Sequence, residues 1–135
     1  MGILGIGVDV LHVPRILELI KRRTAARLAA RILSETESAV WQVIPPSEHD
    51  QRTQFLAVRF SVKEAAYKAL YPVAKPAWKE LTFHGLQRGV DGRKPTLEFH
   101  PSMPSGQVGK LHASVSHDGE YVFTTVLVEE SGCKA

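Results

Sequence analysis

Two carboxylates and one lysine stand at positions where a metal ion and a phosphate could bind. Asp9 follows the glycine pair of Gly5-Ile6-Gly7 at the end of an apolar run. A carboxylate is costly to bury there unless it is paired or bound to a cation. Glu64 and Lys68 lie four residues apart, which puts them on one face of a helix. Mg²⁺ fits this donor set best, because it binds one or two carboxylates and takes water and substrate phosphates as its other ligands.

Each of these residues also has an ordinary structural explanation. Asp9 could simply cap the turn after its strand. Glu64 and Lys68 could be a solvated surface pair, with Ser61 on the same helical face. The neighbouring positions carry small side chains, which would let a ligand or another element approach the pair closely. They are Ala65, Ala66 and Ala69.

A polar hairpin near the end of the chain is a third candidate site. Ser116 and His117 could contact a phosphate or a hydroxyl, whereas Asp118-Gly119 could be no more than ordinary turn chemistry. A hydrolytic triad is excluded, because consecutive strand residues point to opposite faces and cannot converge. The hairpin residues alone leave both explanations open.

A cluster of basic residues follows the first strand, although the net charge of the chain is only +3. Such a cluster suits an acidic partner or a phosphate-rich ligand, and its ordinary alternative is a solvated helix face. Binding of single-stranded nucleic acid would need aromatic side chains among the cations, and the segment from Lys21 to Arg31 has none. The candidate partner-binding residues are Arg15, Lys21, Arg22, Arg27 and Arg31.

Hydrophobic periodicity and turn residues predict the elements that must position these groups. Ser34 and Glu37 form a capping-box pattern, which predicts a helix that runs to about Val43. A strand, then helices, then more strands indicate an α+β domain with helices packed on one face of a small antiparallel sheet. The predicted strands are Ile3–Leu11, Leu81–Gly85, Thr96–Phe99, Gly109–Ser116 and Tyr121–Glu129. A further predicted helix covers Arg15–Arg23 and continues as an Ala-rich helical stretch over Thr24–Leu33, and the longest covers about Gln51–Leu70.

Length and composition set the broad class. The 135 residues predict one domain over residues 1–129, with a flexible C-terminal tail over 130–135. The chain is 44% hydrophobic and 23% charged, and no apolar run is long enough for a transmembrane helix. Its one cysteine, Cys133, excludes an internal disulfide and a cysteine-based metal site. The N-terminus resembles neither a secretory signal nor a transit peptide, so we expect a cytoplasmic protein, with the mitochondrial matrix as the alternative.

Several segments occur together in an order that is typical of one enzyme family. They are Gly5-Ile6-Gly7-Val8-Asp9 with Arg15, Arg31-Ile32-Leu33 with Glu37, the run from Arg59 to Ala69 that contains Lys63-Glu64 and Lys68, the loose match Gly92-Arg93-Lys94-Pro95, and Ser116-His117. In this order they resemble the holo-acyl-carrier-protein synthase family, the small phosphopantetheinyl transferases. The resemblance covers nearly the whole chain, from about Gly2 to Val128.

The resemblance implies a reaction, a fold and an assembly. The reaction is Mg²⁺-dependent transfer of 4'-phosphopantetheine from coenzyme A to a serine of an apo acyl carrier protein, with release of adenosine 3',5'-bisphosphate. Mn²⁺ is an alternative ion. The expected fold is that of a phosphopantetheinyl transferase assembled as a homotrimer with shared sites, with no nucleic-acid or membrane partner. A basic nucleic-acid or phosphate-binding module without catalysis is the alternative function.

The resemblance also implies roles for individual residues. Asp9 and Glu64 would hold Mg²⁺, and Lys68 would contact phosphate oxygens. Glu64 is also a candidate to take the serine proton, directly or through a metal-bound water. The remaining contacts to coenzyme A phosphates would come from Lys63, Ser116 and His117, and the basic residues from Arg15 to Arg31 would face the carrier protein.

Overall fold

The computed structural model describes residues 2–85 and 94–132 of the chain. Within these two ranges strand β1 comes first, four α-helices follow, and four strands complete the order. The elements are β1 (Ile3–His12), α1 (Val13–Arg23), α2 (Ala25–Ile32), α3 (Glu35–Val43), α4 (His49–Leu70), a 3-10 turn (Trp78–Glu80), β2 (Leu81–His84), β3 (Thr96–Phe99), β4 (Val108–Asp118) and β5 (Tyr121–Glu130). None of the helices in the described ranges is long and apolar enough to cross a membrane.

The strands form two small antiparallel sheets. The larger has the order β1-β5-β4, so the first and last strands of the chain are neighbours, and β2 pairs with β3 in the second sheet. In the larger sheet Thr124 on the central strand β5 lies opposite Asp9 on β1 and opposite Val115 on β4. Helix α4 packs across one face of this sheet and contacts all three strands. The α+β prediction is therefore confirmed, with two small sheets where one was expected.

Helix α4 lies unusually close to β1, and two glycines make this approach possible. A Cβ atom added at Gly5 would overlap the carbonyl oxygen of Ala69, and one added at Gly7 would overlap that of Ala65. The facing residues of α4 are themselves small, since Ala65 is 0% and Ala69 2% exposed. The backbones of strand and helix therefore meet almost directly, which fixes Asp9 on β1 relative to the residues of α4.

The helical region before α4 differs from the prediction at one position. Thr24 has a φ of 76°, which breaks the predicted helical stretch and separates α1 from α2. Its side chain accepts a hydrogen bond from the backbone N–H of Arg27, so the same residue caps α2. The capping box of Ser34 and Glu37 is confirmed, and α3 ends at Val43 as predicted.

The strand boundaries near the C-terminus also shift. Strand β4 continues through His117 and Asp118, and the turn is made at Gly119, whose φ is 57°. Strand β5 runs to Glu130, one residue into the predicted tail. Cys133 and the Gly92-Arg93 part of the loose motif lie outside the described residues.

Candidate active site

Asp9 is held at the sheet surface by one buried hydroxyl group, which a second buried hydroxyl contacts in turn. The Ser61 hydroxyl on α4 donates to Asp9 Oδ2 at 2.8 Å. Thr124 Oγ1 lies 3.0 Å from Ser61 Oγ and also donates to the Ser61 carbonyl oxygen at 3.1 Å. Both hydroxyl residues are 0% exposed, whereas the Asp9 side chain is 15% exposed. The carboxylate is thus anchored on one side and open on the other.

The open side of Asp9 faces the two charged residues that the sequence selected on α4. Lys68 Nζ lies 3.5 Å from Asp9 Oδ1 and donates to the Val8 carbonyl at 3.0 Å. Burial and the negative charge of Asp9 raise the pKa of Glu64, while Lys68 and Arg15 oppose the shift. The structure therefore brings Asp9, Glu64 and Lys68 together at the contact between β1 and α4.

This arrangement fits a divalent cation with substrate ligands. The Asp9 and Glu64 carboxylates are near enough to repel each other, and no donor in the described ranges hydrogen-bonds to Glu64. A cation between them would remove the repulsion. Residues 2–85 and 94–132 contain no group of three or more metal-ligating side chains, so the protein offers two carboxylates and no closed cage. Mg²⁺ with phosphate and water as its remaining ligands matches such a site.

Lys63, the neighbour of Glu64, is buried and serves the fold. Its Nζ donates to the Ile32 carbonyl at 2.7 Å, to Glu37 Oε1 at 2.5 Å and to the Trp78 carbonyl at 2.9 Å. An ammonium group has three donors, so none is left for a phosphate. Burial lowers the pKa of Lys63, and Glu37 opposes that shift. The predicted contact between Lys63 and coenzyme A is therefore wrong in this structure.

Glu37 is the centre of this buried network. Its Oε1 also accepts from the Ser34 backbone N–H, and its Oε2 accepts from the backbone N–H of Phe83, each at 2.9 Å. Arg59 Nε lies 3.9 Å from Oε2, and the guanidinium stacks over the Phe55 ring at 3.7 Å. Burial lowers the pKa of Arg59 to about 10 despite the opposing charge of Glu37. One carboxylate therefore joins α3, α4 and β2.

Arg59 and His117 line a groove of about 420 Å³ between α4 and the strands. Aromatic and polar side chains share its wall, including Phe55, Phe83 and His84. His117 Nδ1 lies 2.6 Å from Gln54 Nε2 on α4, so its ring is on the helix side of the sheet. Ser116 is exposed and, by strand alternation, projects from the opposite side. The predicted pair of Ser116 and His117 is thus split between two faces.

A separate cavity of about 360 Å³ adjoins Glu64, with Tyr67, Pro76, Ala77 and Trp78 in its wall. His117 is not among its lining residues. The predicted site residues of one chain therefore occupy two places: Asp9, Glu64 and Lys68 lie together, whereas His117 lines the other groove.

The comparisons with known proteins identify the family. The family model described as the 4'-phosphopantetheinyl transferase superfamily matches residues 5–126, which include every one of these residues. The chain belongs to that superfamily.

Proteins that are similar to this chain support its assignment to the transferase superfamily. A holo-[acyl-carrier-protein] synthase of Yersinia pseudotuberculosis is 37% identical over 134 residues, which cover 96% of this chain and 99% of the relative. The structure of a holo-(acyl-carrier-protein) synthase of Bacillus anthracis in complex with CoA (3',5'-ADP) is 28% identical, with a TM-score of 0.69 over 98% of this chain and 100% of that one. The holo-ACP-synthase of Plasmodium yoelii shares the fold, with a TM-score of 0.77 at 19% identity over 97% of each chain.

The predicted partner-binding residues of the transferase lie on the first two helices, and one of them, Arg15, lies close to Glu64. Arg15, Lys21, Arg22, Arg27 and Arg31 are all exposed on α1 and α2. Arg15 is near enough to Glu64 to oppose the rise in its pKa. Arg15 and Arg22 also border a shallow apolar depression that contains Leu19 and Phe60. The surface that would receive an acidic partner therefore adjoins the candidate metal site.

Three residues that the sequence did not single out contact or line the candidate site. Thr124 lies under Ser61 and Asp9, Gln54 contacts His117, and Arg59 lines the groove. Arg59 carried a signal, since it belongs to the run that resembles the family. The other two depend on strand register and helix rotation, which local spacing does not encode.

Proposed function

We propose that this transferase moves 4'-phosphopantetheine from coenzyme A to a serine hydroxyl of an apo acyl carrier protein, with release of adenosine 3',5'-bisphosphate. The observation that carries the proposal is the meeting of Asp9, Glu64 and Lys68 at the contact between β1 and α4. The relatives named as holo-[acyl-carrier-protein] synthases, one of them in complex with coenzyme A, support the choice of substrates.

Phosphoryl transfer requires mainly that the protein position the reacting groups and neutralise their charge. The serine oxygen bonds to the phosphorus next to pantetheine, the bond from that phosphorus to the bridging oxygen breaks, and the bisphosphate leaves with the electron pair. Asp9 and Glu64 would hold Mg²⁺, which supplies Lewis-acid stabilisation of the pyrophosphate. Lys68, 53% exposed, would bind phosphate oxygens and offset the developing negative charge.

Glu64 is the candidate general base for the serine proton. In the metal-free chain burial together with Asp9 raises the pKa of Glu64, but a bound cation would lower it again, so the base role rests on the position of Glu64 beside Asp9 and Lys68 and not on this shift. Proton transfer to Glu64 would leave the serine oxygen with the charge it needs to attack phosphorus.

A direct assay tests the proposed reaction. Apo acyl carrier protein is incubated with coenzyme A, Mg²⁺ and the transferase, and the intact mass of the carrier is measured. We expect a gain of one phosphopantetheine group, which is absent with EDTA or with a carrier whose acceptor serine is alanine. An unchanged carrier mass with several apo carriers, each confirmed as folded, would reject the proposed function.

Assembly into a trimer is part of the proposal. The sheet face away from α4 exposes large apolar side chains, among them Ile6 at 62%, Val10 at 55% and Phe123 at 45%. A contiguous apolar face of this kind is typical of an interaction surface. In a trimer, His117 of one subunit would complete the site that contains Glu64 of its neighbour, which fits the two separate cavities of one chain.

Phe123→Asp should convert the trimer to monomers and abolish most transfer activity. The new charge would be placed on the apolar face, where its burial against a neighbour is costly. Light scattering after size-exclusion chromatography measures the mass, and the carrier assay measures activity. Val43→Asp is the matched control, because Val43 is 81% exposed at the end of α3, away from this face.

Subunit mixing tests whether the site is shared. A mixture of Glu64→Gln and His117→Ala subunits should recover part of the activity, since some interfaces then pair two intact contributions. A fully active monomer, or no recovery despite proven subunit exchange, would contradict the shared site.

Charge reversal in the basic segment should weaken binding of the carrier protein far more than binding of coenzyme A. Arg27→Glu is the cleanest variant, because Arg15 also acts on Glu64. Exposed charges act mainly through association rate and are screened by salt, with a Debye length of about 8 Å at physiological ionic strength. Lys79→Glu, an exposed change outside α1 and α2, is the control.

Titration of Arg15→Glu and Arg27→Glu with apo carrier and with coenzyme A, at low and high salt, gives the answer. We expect carrier affinity to fall in both variants and with rising salt, while coenzyme A affinity changes much less. If binding of the carrier and binding of coenzyme A weakened equally, the basic segment would instead contribute to the coenzyme A site or to the stability of the fold.

A further inference from the structure

We propose that Ser61 is a positioning residue for the metal site, which orients the Asp9 carboxylate so that one oxygen faces the cation. This inference rests on the proposed function. The Ser61 hydroxyl has one proton, and the geometry directs it to Asp9 Oδ2 at 2.8 Å. Oδ1 remains on the side of Lys68, at 3.5 Å from its Nζ.

A second hydroxyl lies beneath Ser61, but it is the carboxylate that fixes the direction of the hydrogen bond between Ser61 and Asp9, because an ionised carboxylate only accepts. Thr124 donates to the Ser61 backbone carbonyl at 3.1 Å, and its Oγ1 lies 3.0 Å from Ser61 Oγ. Thr124 Oγ1 could also accept from Ser61, but the charged carboxylate is the stronger acceptor, so the Ser61 proton goes to Asp9. Because Ser61 and Thr124 are both 0% exposed, no water competes for these positions.

The strand register makes this arrangement rigid. Thr124 lies directly opposite Asp9, on the central strand of the sheet, and Ser61 projects onto both from α4. Asp9 is thus held from below by a hydroxyl and flanked by an ammonium group at its other oxygen. Side chains that hydrogen-bond to a metal-ligating carboxylate orient it, and their loss typically weakens metal binding by about 10- to 100-fold.

The test measures Mn²⁺ binding by the full-length chain in the presence of coenzyme A and in the absence of a carrier protein. Free Mn²⁺ is followed by electron paramagnetic resonance, with protein-free coenzyme A as the blank. Ser61→Ala removes the donor, and Ser61→Cys replaces it with a weak donor of similar size. Thr124→Val is the matched control, because it removes the other hydroxyl of the pair and leaves the Ser61 proton on Asp9.

We expect Ser61→Ala and Ser61→Cys to raise the Mn²⁺ dissociation constant by roughly 10-fold or more. Thr124→Val should raise the Mn²⁺ dissociation constant by a clearly smaller factor, although its melting temperature should fall by about as much as in the serine variants. Unchanged affinity in the serine variants, or equal weakening in Thr124→Val, would overturn the positioning role and leave a structural one. If Ser61→Ala does not fold, Ser61→Cys decides by the same criterion.

The reference variant Asp9→Asn separates this inference from the proposed function. If Asp9→Asn abolishes the Mn²⁺ binding of the wild type while the serine variants bind Mn²⁺ normally, only the role of Ser61 is rejected. Wild-type Mn²⁺ binding that is insensitive to Asp9→Asn would reject the proposed metal site itself, and the positioning role with it.

Discussion

Asp9→Asn or Glu64→Gln should reduce Mg²⁺-dependent transfer by roughly 10³-fold, because a lost ligand to a pyrophosphate-bound cation costs several kcal/mol of transition-state stabilisation. The two side chains come from different elements, β1 and α4, and the repulsion between their charges is what a cation would relieve. Initial rates of carrier modification at saturating Mg²⁺ measure the loss. Turnover near that of the wild type in either variant would contradict the assignment of the metal site.

The stability of Glu64→Gln serves as the control that the fold persists. Since burial and Asp9 raise the pKa of Glu64 above 4.5 in the folded state, its ionised form destabilises the metal-free protein at neutral pH. Removal of that charge should raise the melting temperature there. The gain should shrink as the pH falls through the raised pKa and disappear below 4.5, where the wild-type carboxyl is protonated in both states. Mg²⁺ with coenzyme A should stabilise the wild type more than this variant.

Glu37→Gln should destabilise the chain by about 3–5 kcal/mol, because it leaves the Lys63 ammonium buried without its counter-charge. The single amide oxygen of the new side chain can accept from only one of the two backbone N–H groups, those of Ser34 and Phe83, so the loss also includes one unsatisfied backbone donor. Such a loss is a large part of a typical unfolding free energy of about 5–15 kcal/mol. Urea denaturation of the full-length chain measures it, and Lys63→Met should show a loss of the same order.

The double variant Glu37→Gln with Lys63→Met completes a thermodynamic cycle. It removes both charges together, so it should be clearly more stable than the sum of the two single losses implies. Purely additive losses would mean that the pair is not coupled. Unchanged stability in Lys63→Met, combined with weaker coenzyme A binding, would restore the phosphate role that the sequence indicated for Lys63.

Local sequence signals predicted most of the elements. Apolar periodicity gave α4, the capping box gave the start of α3, the Pro45-Pro46 loop gave its end, and alternation gave the β3 segment at its observed bounds. The break at Thr24 was missed, because a positive φ in a non-glycine residue has no compositional signature. The division of the strands into two sheets depends on long-range pairing that the order of elements does not specify.

Spacing identified the residues that meet at the candidate site, but it did not tell which neighbouring charges are exposed. Glu64 and Lys68 share a helical face by simple four-residue spacing, and the family-like run pointed to both. Lys63 lies in the same run, yet it is buried because Glu37 and two backbone carbonyls lie around it. The position of Thr124 opposite Asp9 and beneath Ser61 depends on the register of β1 on β5, which only the folded chain defines.

The close approach of β1 to α4 constrains how this enzyme can be engineered. Replacement of glycine by alanine is a common route to thermostability, worth about 0.4–1 kcal/mol through the unfolded chain where the backbone tolerates it. At Gly5 and Gly7 the added methyl group would instead wedge the strand away from the carbonyl oxygens of α4. Because Asp9 belongs to the strand and Glu64 to the helix, the wedge would also widen the gap between the two carboxylates. Libraries that aim for a more heat-resistant catalyst should therefore leave both glycines untouched.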